Sequence, residues 1–113
     1  MLPASVRILV CTAPQDMRRS FDTLALVIRQ LLGEEPQSGT LFVFVGKSAT
    51  RVKVLWWDRN GYCLLYKRLH RSLFRPPVSA DGAAAIRIDA AALAQLLHGV
   101  PREKNPRKER LRA

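Results

Sequence analysis

Residues 53–69 read KVLWWDRNGYCLLYKRL. Apolar and aromatic residues lie on both sides of Asn60-Gly61, a dipeptide that tolerates the positive φ angles of a tight type I′ turn. The stretch therefore predicts a β-hairpin over about residues 51–69, with Asn60-Gly61 as its two-residue loop. The same strands mix Val, Leu, Trp and Tyr with Lys and Arg, so part of the hairpin should be core and part should meet a polar partner.

Side chains alternate between the two faces of such a hairpin. In the predicted register, Lys53 lies opposite Arg68 and Leu55 lies opposite Tyr66. The face that is better suited to the core carries Val52, Val54, Trp56, Cys63, Leu65, Lys67 and Leu69. The other face carries Arg51, Lys53, Leu55, Trp57, Tyr62, Leu64, Tyr66 and Arg68. Cations and aromatic rings together suit phosphates and stacked bases, although aromatic rings buried under a helix beside solvated charges would produce the same pattern.

The net charge of +10 is unevenly distributed along the 113 residues. Residues 1–46 are balanced, whereas residues 47–75 carry eight cations and one anion, and residues 101–113 carry six cations and two anions. Clustered Lys and Arg are the electrostatic signature of a nucleic-acid-binding surface. An anionic membrane surface and an acidic protein partner remain open as alternatives.

The remaining elements indicate an α+β domain. Apolar residues at helical spacing predict one long amphipathic helix at about residues 17–32, and Gly33 should end it. A short C-terminal helix is predicted at about residues 90–98, with Asp89 as its N-cap. With the hairpin, the apolar runs at 6–11, 40–45 and 84–88 give a mainly antiparallel sheet of about five strands, with the hairpin central, the long helix on one face and the short helix near an end.

The charge pattern divides the chain into one domain and a tail. Residues 1–100 are predicted to form a single α+β domain, and residues 101–113 a basic, disordered tail that either contacts nucleic acid or only solubilises the protein. At the start of the long helix, Arg18 and Arg19 oppose the helix dipole. These two side chains are therefore expected to point toward a carboxylate or an anionic partner, or simply into solvent.

Several functional classes lack their sequence signature. No apolar run is long enough to span a membrane, and no signal peptide is evident, so a cytoplasmic location is expected. Cys11 and Cys63 lack the spacing of a zinc site. No nucleophile–base pair is visible, and the central carboxylates each have a turn or cap explanation. We therefore expect a protein that is not an enzyme and that has no metal, cofactor, membrane or small-molecule substrate.

Four blocks of sequence, taken in order, carry a family resemblance. They are MRRSFDTL at 17–24, LFVF at 41–44, KVLWWDRNG at 53–61 and LYKRL at 65–69. The chain resembles the TnpB-type accessory protein of the sixty-six family of bacterial insertion sequences over about residues 5–100, with departures from the usual pattern at positions 20, 23 and 75–76. The resemblance implies a helper of the transposase in transposition, not the catalyst.

Two hypotheses follow for the basic and aromatic residues. In the first, they bind DNA at the ends of the element, or the transposase–DNA complex, because such side chains contact phosphates and stack on unpaired bases. In the second, the same surface docks the transposase or another accessory protein without touching DNA. The candidate binding residues are Arg18, Arg19, Arg51, Lys53, Trp57, Tyr62, Tyr66, Lys67 and Arg68, together with the tail.

Overall fold

The computed structural model describes residues 5–102. The seven strands are β1 Ile8–Cys11, β2 Leu41–Val45, β3 Arg51–Asp58, β4 Gly61–Arg68, β5 Ser72–Leu73, β6 Ala85–Ile88 and β7 Val100–Pro101. The helices are α1 Phe21–Val27, which continues as a π-helical segment Ile28–Leu32, and α2 Ala90–His98. Five strands form one sheet in the order β4-β3-β2-β1-β6, and β5 pairs with β7 in a separate ladder.

The α+β class and the five-stranded sheet are as predicted, but the prediction of a central hairpin is wrong, because β4 forms one edge of the sheet and β1 and β2 occupy its interior. The sheet also contains one parallel pair. β1 and β2 run parallel and are joined through α1, whereas the other neighbours are antiparallel. The carboxyl ends of two parallel strands meet at one edge of a sheet. There the loop after β1 touches the turn after β2, because the Gln15 N–H donates to the Val45 carbonyl at 3.0 Å. A Cβ atom on Gly46 would lie 2.7 Å from Met17 Cγ, so the Met17 side chain would have to move to admit any other residue there.

The two helices cover opposite faces of the sheet. α1 packs against alternate residues of the central strands, including Leu9, Phe42 and Leu55. α2 packs against the intervening residues, which include Val10 and Val43. The expectation that the second helix lies near an end of the sheet is therefore wrong, because the strands are apolar on both faces and each face needs a cover.

The prediction of one long amphipathic helix at about residues 17–32 is also wrong. The helical stretch has 12 residues, Phe21–Leu32, and its last five are π-helical. Residues 16–19 form a turn instead, since Asp16 accepts hydrogen bonds from the backbone N–H groups of both Arg18 and Arg19 through its side chain and carbonyl respectively. An Asp side chain that bonds to nearby backbone competes with helix formation. The end of the helix is as predicted, with Gly33 left-handed at a φ of 64°.

The predicted hairpin is present, but its loop lies one residue earlier than Asn60-Gly61. Gly61 is the first residue of β4 and pairs with Asp58. The loop residues are Arg59 and Asn60. Arg59 adopts a positive φ of 53°, and the Asn60 N–H donates to the Asp58 carbonyl, which closes a three-residue γ-turn.

The earlier loop changes which residues are neighbours across the hairpin. Tyr66 lies opposite Lys53, and Arg68 lies opposite Arg51. Because the pairing moves by two residues, each side chain keeps the face predicted for it. The preference of Asn-Gly for tight turns depends only on local backbone geometry. It takes no account of the contacts between the two strands, and so it did not predict the position of the loop.

The remaining predictions can be compared with the structure of the described residues. Asp89 caps α2 by accepting a hydrogen bond from the Ala92 N–H at 2.8 Å, as expected. Cys11 and Cys63 are free thiols, the first buried and the second half-buried. In residues 5–102 no helix has the length and apolarity needed to cross a membrane. The predicted tail lies outside the described residues beyond Arg102.

Candidate nucleic-acid interface

The nine candidate residues do not form one surface. Lys67 lies on the α2 side of the hairpin, where its Nζ donates to the Leu97 carbonyl at 2.7 Å, near the end of that helix. A cation at the C-terminal end of a helix is favoured by the helix dipole. This contact gives Lys67 a structural partner and separates it from the other eight residues, which lie on the α1 side or in the loop before α1.

Arg51 and Arg68 are exposed and lie directly opposite each other at the open end of the hairpin, away from its loop. Like charges in this position repel and destabilise the strand pair. Among the described residues, neither guanidinium forms an ion pair with a carboxylate. A bound anion between them would relieve the repulsion and accept hydrogen bonds from both side chains.

Lys53 and Tyr66 form the next pair along the same face. Lys53 is only 6% exposed, its Nζ donates to the Arg19 carbonyl, and the same Nζ lies 5.0 Å from the centroid of the Tyr66 ring. The lysine therefore fixes the loop that carries Arg19 against β3. We call Arg51, Lys53, Tyr66 and Arg68 the hairpin base.

Trp57 and Tyr62, which we call the hairpin tip, have a different environment. Their ring centroids are 5.0 Å apart with an interplanar angle of 79°, an edge-to-face contact. Both residues are half-buried, and Tyr62 packs against the cluster under α1 that contains Leu55. The tip aromatics therefore serve packing, and the fully buried Leu55 lies between them and the hairpin base.

A groove of about 380 Å³ opens beside the hairpin base, at the carboxyl ends of β1 and β2. Its lining includes Arg18, Lys47 and Arg51, together with the buried Gln15. A neighbouring groove shares Lys47 and Gln15 and adds Arg19. The guanidinium of Arg19 donates to Gln15 Oε1 at 3.4 Å, so Gln15 helps to hold this loop in place.

Asp16 is the carboxylate of this region. Arg18 Nη2 lies 2.7 Å from Asp16 Oδ2, and Arg18 Nε also donates to the same carboxylate. These hydrogen bonds hold the pKa of Asp16 well below its usual range. The expectation that Arg18 points toward a carboxylate or an anionic partner is thus confirmed for the carboxylate.

Sequence reasoning missed Lys47. The turn at Gly46-Lys47-Ser48 lacks the pattern of a phosphate-binding loop, and no helix follows it. The available signal was topological, since side chains that follow two parallel strands converge at one edge of the sheet. We call Arg18, Arg19, Lys47, Arg51 and Arg68 the cationic edge.

The central carboxylates are dispersed. Asp16 lies in the loop before α1, Asp22 in the first turn of α1 and Asp58 at the far end of β3. Across residues 5–102, no three His, Cys, Asp or Glu side chains are grouped so that they could hold a metal ion.

Comparison with known proteins places the chain in a family. The model of the family described as IS66 Orf2 like protein matches residues 6–107. "Uncharacterized protein y4hO" of Sinorhizobium fredii is 45% identical over 102 residues, which cover 88% of this chain and 87% of the relative. "Uncharacterized protein y4jC" of the same organism is 36% identical over 78 residues, which cover 69% and 67% respectively. No solved structure matches the chain. The chain therefore belongs to the IS66 Orf2-like proteins, a family with an accessory role in the transposition of insertion sequences.

Proposed function

We propose that this chain is a non-catalytic accessory protein that binds DNA, alone or in the transposase–DNA complex, through the cationic edge. The observation that carries the proposal is the exposed Arg51–Arg68 pair, in which two like charges face each other across the hairpin without an acidic partner among the described residues. Such a pair has a cost to stability that a phosphate group offsets.

The surroundings of this pair support the same ligand. Lys47 lines the groove beside Arg51, and Lys53 adds a buried charge behind it. Lys and Arg side chains bind the phosphates of DNA of any sequence, and this binding releases counterions that had condensed on the DNA. The affinity therefore falls steeply as the salt concentration rises. The proposed role is therefore to hold DNA for the transposase, with little reading of base sequence by this surface.

The test measures DNA binding by fluorescence anisotropy over a salt series, with element-end sequences beside scrambled ones. The Arg51→Ala/Arg68→Ala variant removes two charges from the cationic edge. Its matched control, Arg29→Ala/Arg87→Ala, removes two exposed charges from α1's π-helical extension and from β6, at the opposite sheet edge from β4. Each lost phosphate contact should lower the slope of log affinity against log salt by about 1.

We expect the first variant to bind more weakly, with a slope smaller by about 2, and the control to behave like the unmodified protein. Equal binding by the two variants would place the DNA contact elsewhere on the chain. An unmodified protein that does not bind DNA at low salt would refute the proposal.

A second candidate function is docking of the transposase or another accessory protein. The observation that favours it is the outer edge of β4, an eight-residue edge strand with no neighbouring strand on that side in the described part of the chain. Such an edge can accept a strand from another protein. Association with the purified transposase in the absence of DNA, lost when Leu65→Pro interrupts β4, would favour this candidate.

A further inference from the structure

Tyr66 is the most exposed aromatic side chain of the hairpin. It is 51% exposed, whereas Trp57 and Tyr62, on the same face, are half-buried against each other. A large aromatic ring is usually buried or matched to a partner when a surface is polar around it. Tyr66 instead stands beside the Arg51–Arg68 pair with much of its surface uncovered.

One face of the Tyr66 ring is already occupied. The Nζ of Lys53 lies 5.0 Å from the ring centroid, and this ammonium is held in place because it also donates to the Arg19 carbonyl. A ligand that stacks on the ring would therefore use the opposite face. The ring is thus backed by a fixed cation and presents a flat apolar face outward.

We propose that Tyr66 is a stacking platform for an unpaired base, so that the cationic edge takes single-stranded DNA in preference to duplex. This inference rests on the proposed function and specifies its ligand. Arg51 and Arg68 together hold one phosphate next to the stacked nucleotide, and Tyr66 holds the base itself.

The spacing of the strand agrees with this assignment. Tyr66 and Arg68 are two residues apart on one face of β4, which separates their Cα atoms by about 7 Å, and Arg51 lies directly across from Arg68. A platform and a phosphate clamp are therefore one nucleotide apart along the strand. A paired base has both faces covered by its neighbours in the duplex, so it cannot stack on the ring without leaving the helix.

The buried lysine also favours one class of base. A cation on the inner face attracts the π-electrons of the ring and leaves the outer face less electron-rich. Such a face stacks best on a large, electron-rich base, so purines should bind more tightly than pyrimidines. The Lys53 charge thereby acts on the base without touching it.

The experiment uses the whole protein and a short oligodeoxythymidylate in which one thymine is replaced by fluorescent 2-aminopurine, because thymine neighbours stack weakly and leave the probe bright in the free strand. The same oligonucleotide annealed to its complement provides the duplex arm. Stacking on Tyr66 should quench the 2-aminopurine fluorescence, while anisotropy of an end-labelled copy reports affinity. The variants are Tyr66→Leu, which removes the ring, Tyr66→Phe, which keeps it, and Leu65→Ala, which alters the adjacent exposed residue on the other face.

We expect single-strand affinity to fall about tenfold in Tyr66→Leu, with the protein-induced quenching lost. Tyr66→Phe and Leu65→Ala should retain both, and duplex affinity should change little in any variant. If Tyr66→Leu lowers single-strand and duplex affinity equally, or leaves the quenching intact, the stacking inference is overturned while the cationic-edge proposal stands. If the unmodified protein binds neither form, the proposed function itself fails.

Discussion

The base and the tip of the hairpin lie on the same face of the same two strands, and each contains a tyrosine of β4, yet their environments differ. At the tip, Trp57 and Tyr62 pack edge to face beside the core under α1. At the base, Tyr66 is half-exposed and its neighbours Arg51 and Arg68 face each other in solvent. The difference teaches that a strand face is not uniform along its length, because the cluster under α1 includes Tyr62 and Leu64 of β4 but not Tyr66.

The substitution with the largest expected effect tests whether the middle of the hairpin belongs to the hydrophobic core. Leu55 is fully buried under α1, and Leu55→Ala should lower the free energy of unfolding by about 2–5 kcal/mol because it leaves a cavity. Leu65→Ala, in the paired strand and 39% exposed, should lower it by less than about 1.5 kcal/mol. Urea unfolding measures both changes in free energy. Similar losses in the two variants would contradict the distinction between the covered and the open surface of the hairpin.

The second comparison uses two tyrosines of β4. Tyr62→Ala removes a half-buried ring and its edge-to-face contact, so we expect a loss of about 2 kcal/mol in unfolding free energy. Tyr66→Ala removes an exposed ring whose contact with Lys53 contributes about 0.5–1 kcal/mol. DNA binding should show the reverse order, with the larger loss in Tyr66→Ala. If the same substitution caused the larger loss in both unfolding free energy and DNA affinity, the division between tip and base would be contradicted.

A third variant should move stability and binding in opposite directions. Arg51→Glu replaces the repulsion across the strands with an attraction to Arg68, which should raise the free energy of unfolding by about 0.5 kcal/mol. It also places a negative charge in the cationic edge, so DNA affinity should fall by more than it does in Arg51→Ala. Thermal unfolding and anisotropy would measure the two properties. A variant that loses both would show that Arg51 has a packing role that the structure does not display.

The smallest expected effect concerns the carboxylate beside the hairpin base. Asp16 holds Arg18, and its lowered pKa means that it stays ionised down to acidic pH, with its stabilising contribution lost only as the pH falls through that lowered value. At neutral pH its charge is therefore constant, and Arg18 is released from the ion pair only when Asp16 is substituted. Asp16→Asn should modestly tighten DNA binding at neutral pH. Weaker binding would mean that Asp16 positions Arg18 for the ligand rather than competing with it.

Periodicity was enough to predict most of the elements, because alternating and helical apolar patterns are properties of short segments. It placed the hairpin, the three other main-sheet strands and the short helix at 90–98, and the family resemblance is confirmed by the match over residues 6–107. The long helix was wrong because an apolar stripe gives no information about where a side chain such as Asp16 diverts the backbone into a turn.

The site was harder to predict because it is made of long-range contacts. The assignment of residues to the two hairpin faces was right, but only the fold shows that Lys53 is buried against the Arg19 carbonyl and that Lys67 contacts α2. Lys47 was missed because its role depends on the parallel pairing of β1 with β2. Patterns along one strand do not specify which strand will be its neighbour.

The position of β1 between β2 and β6 also bears on the order in which the domain can fold. Of the described strands, β1 leaves the ribosome before the others, and β2 and the hairpin can assemble along one of its edges as soon as they emerge. Its other edge pairs with β6, whose last residue is Ile88, and one face of the sheet waits for Leu93 and Leu96 of α2. An unfinished chain therefore exposes an open strand edge and an apolar face, both of which favour aggregation. The five-stranded sheet is complete only when β6 pairs with β1, so this sheet is completed after most of the domain has been synthesised.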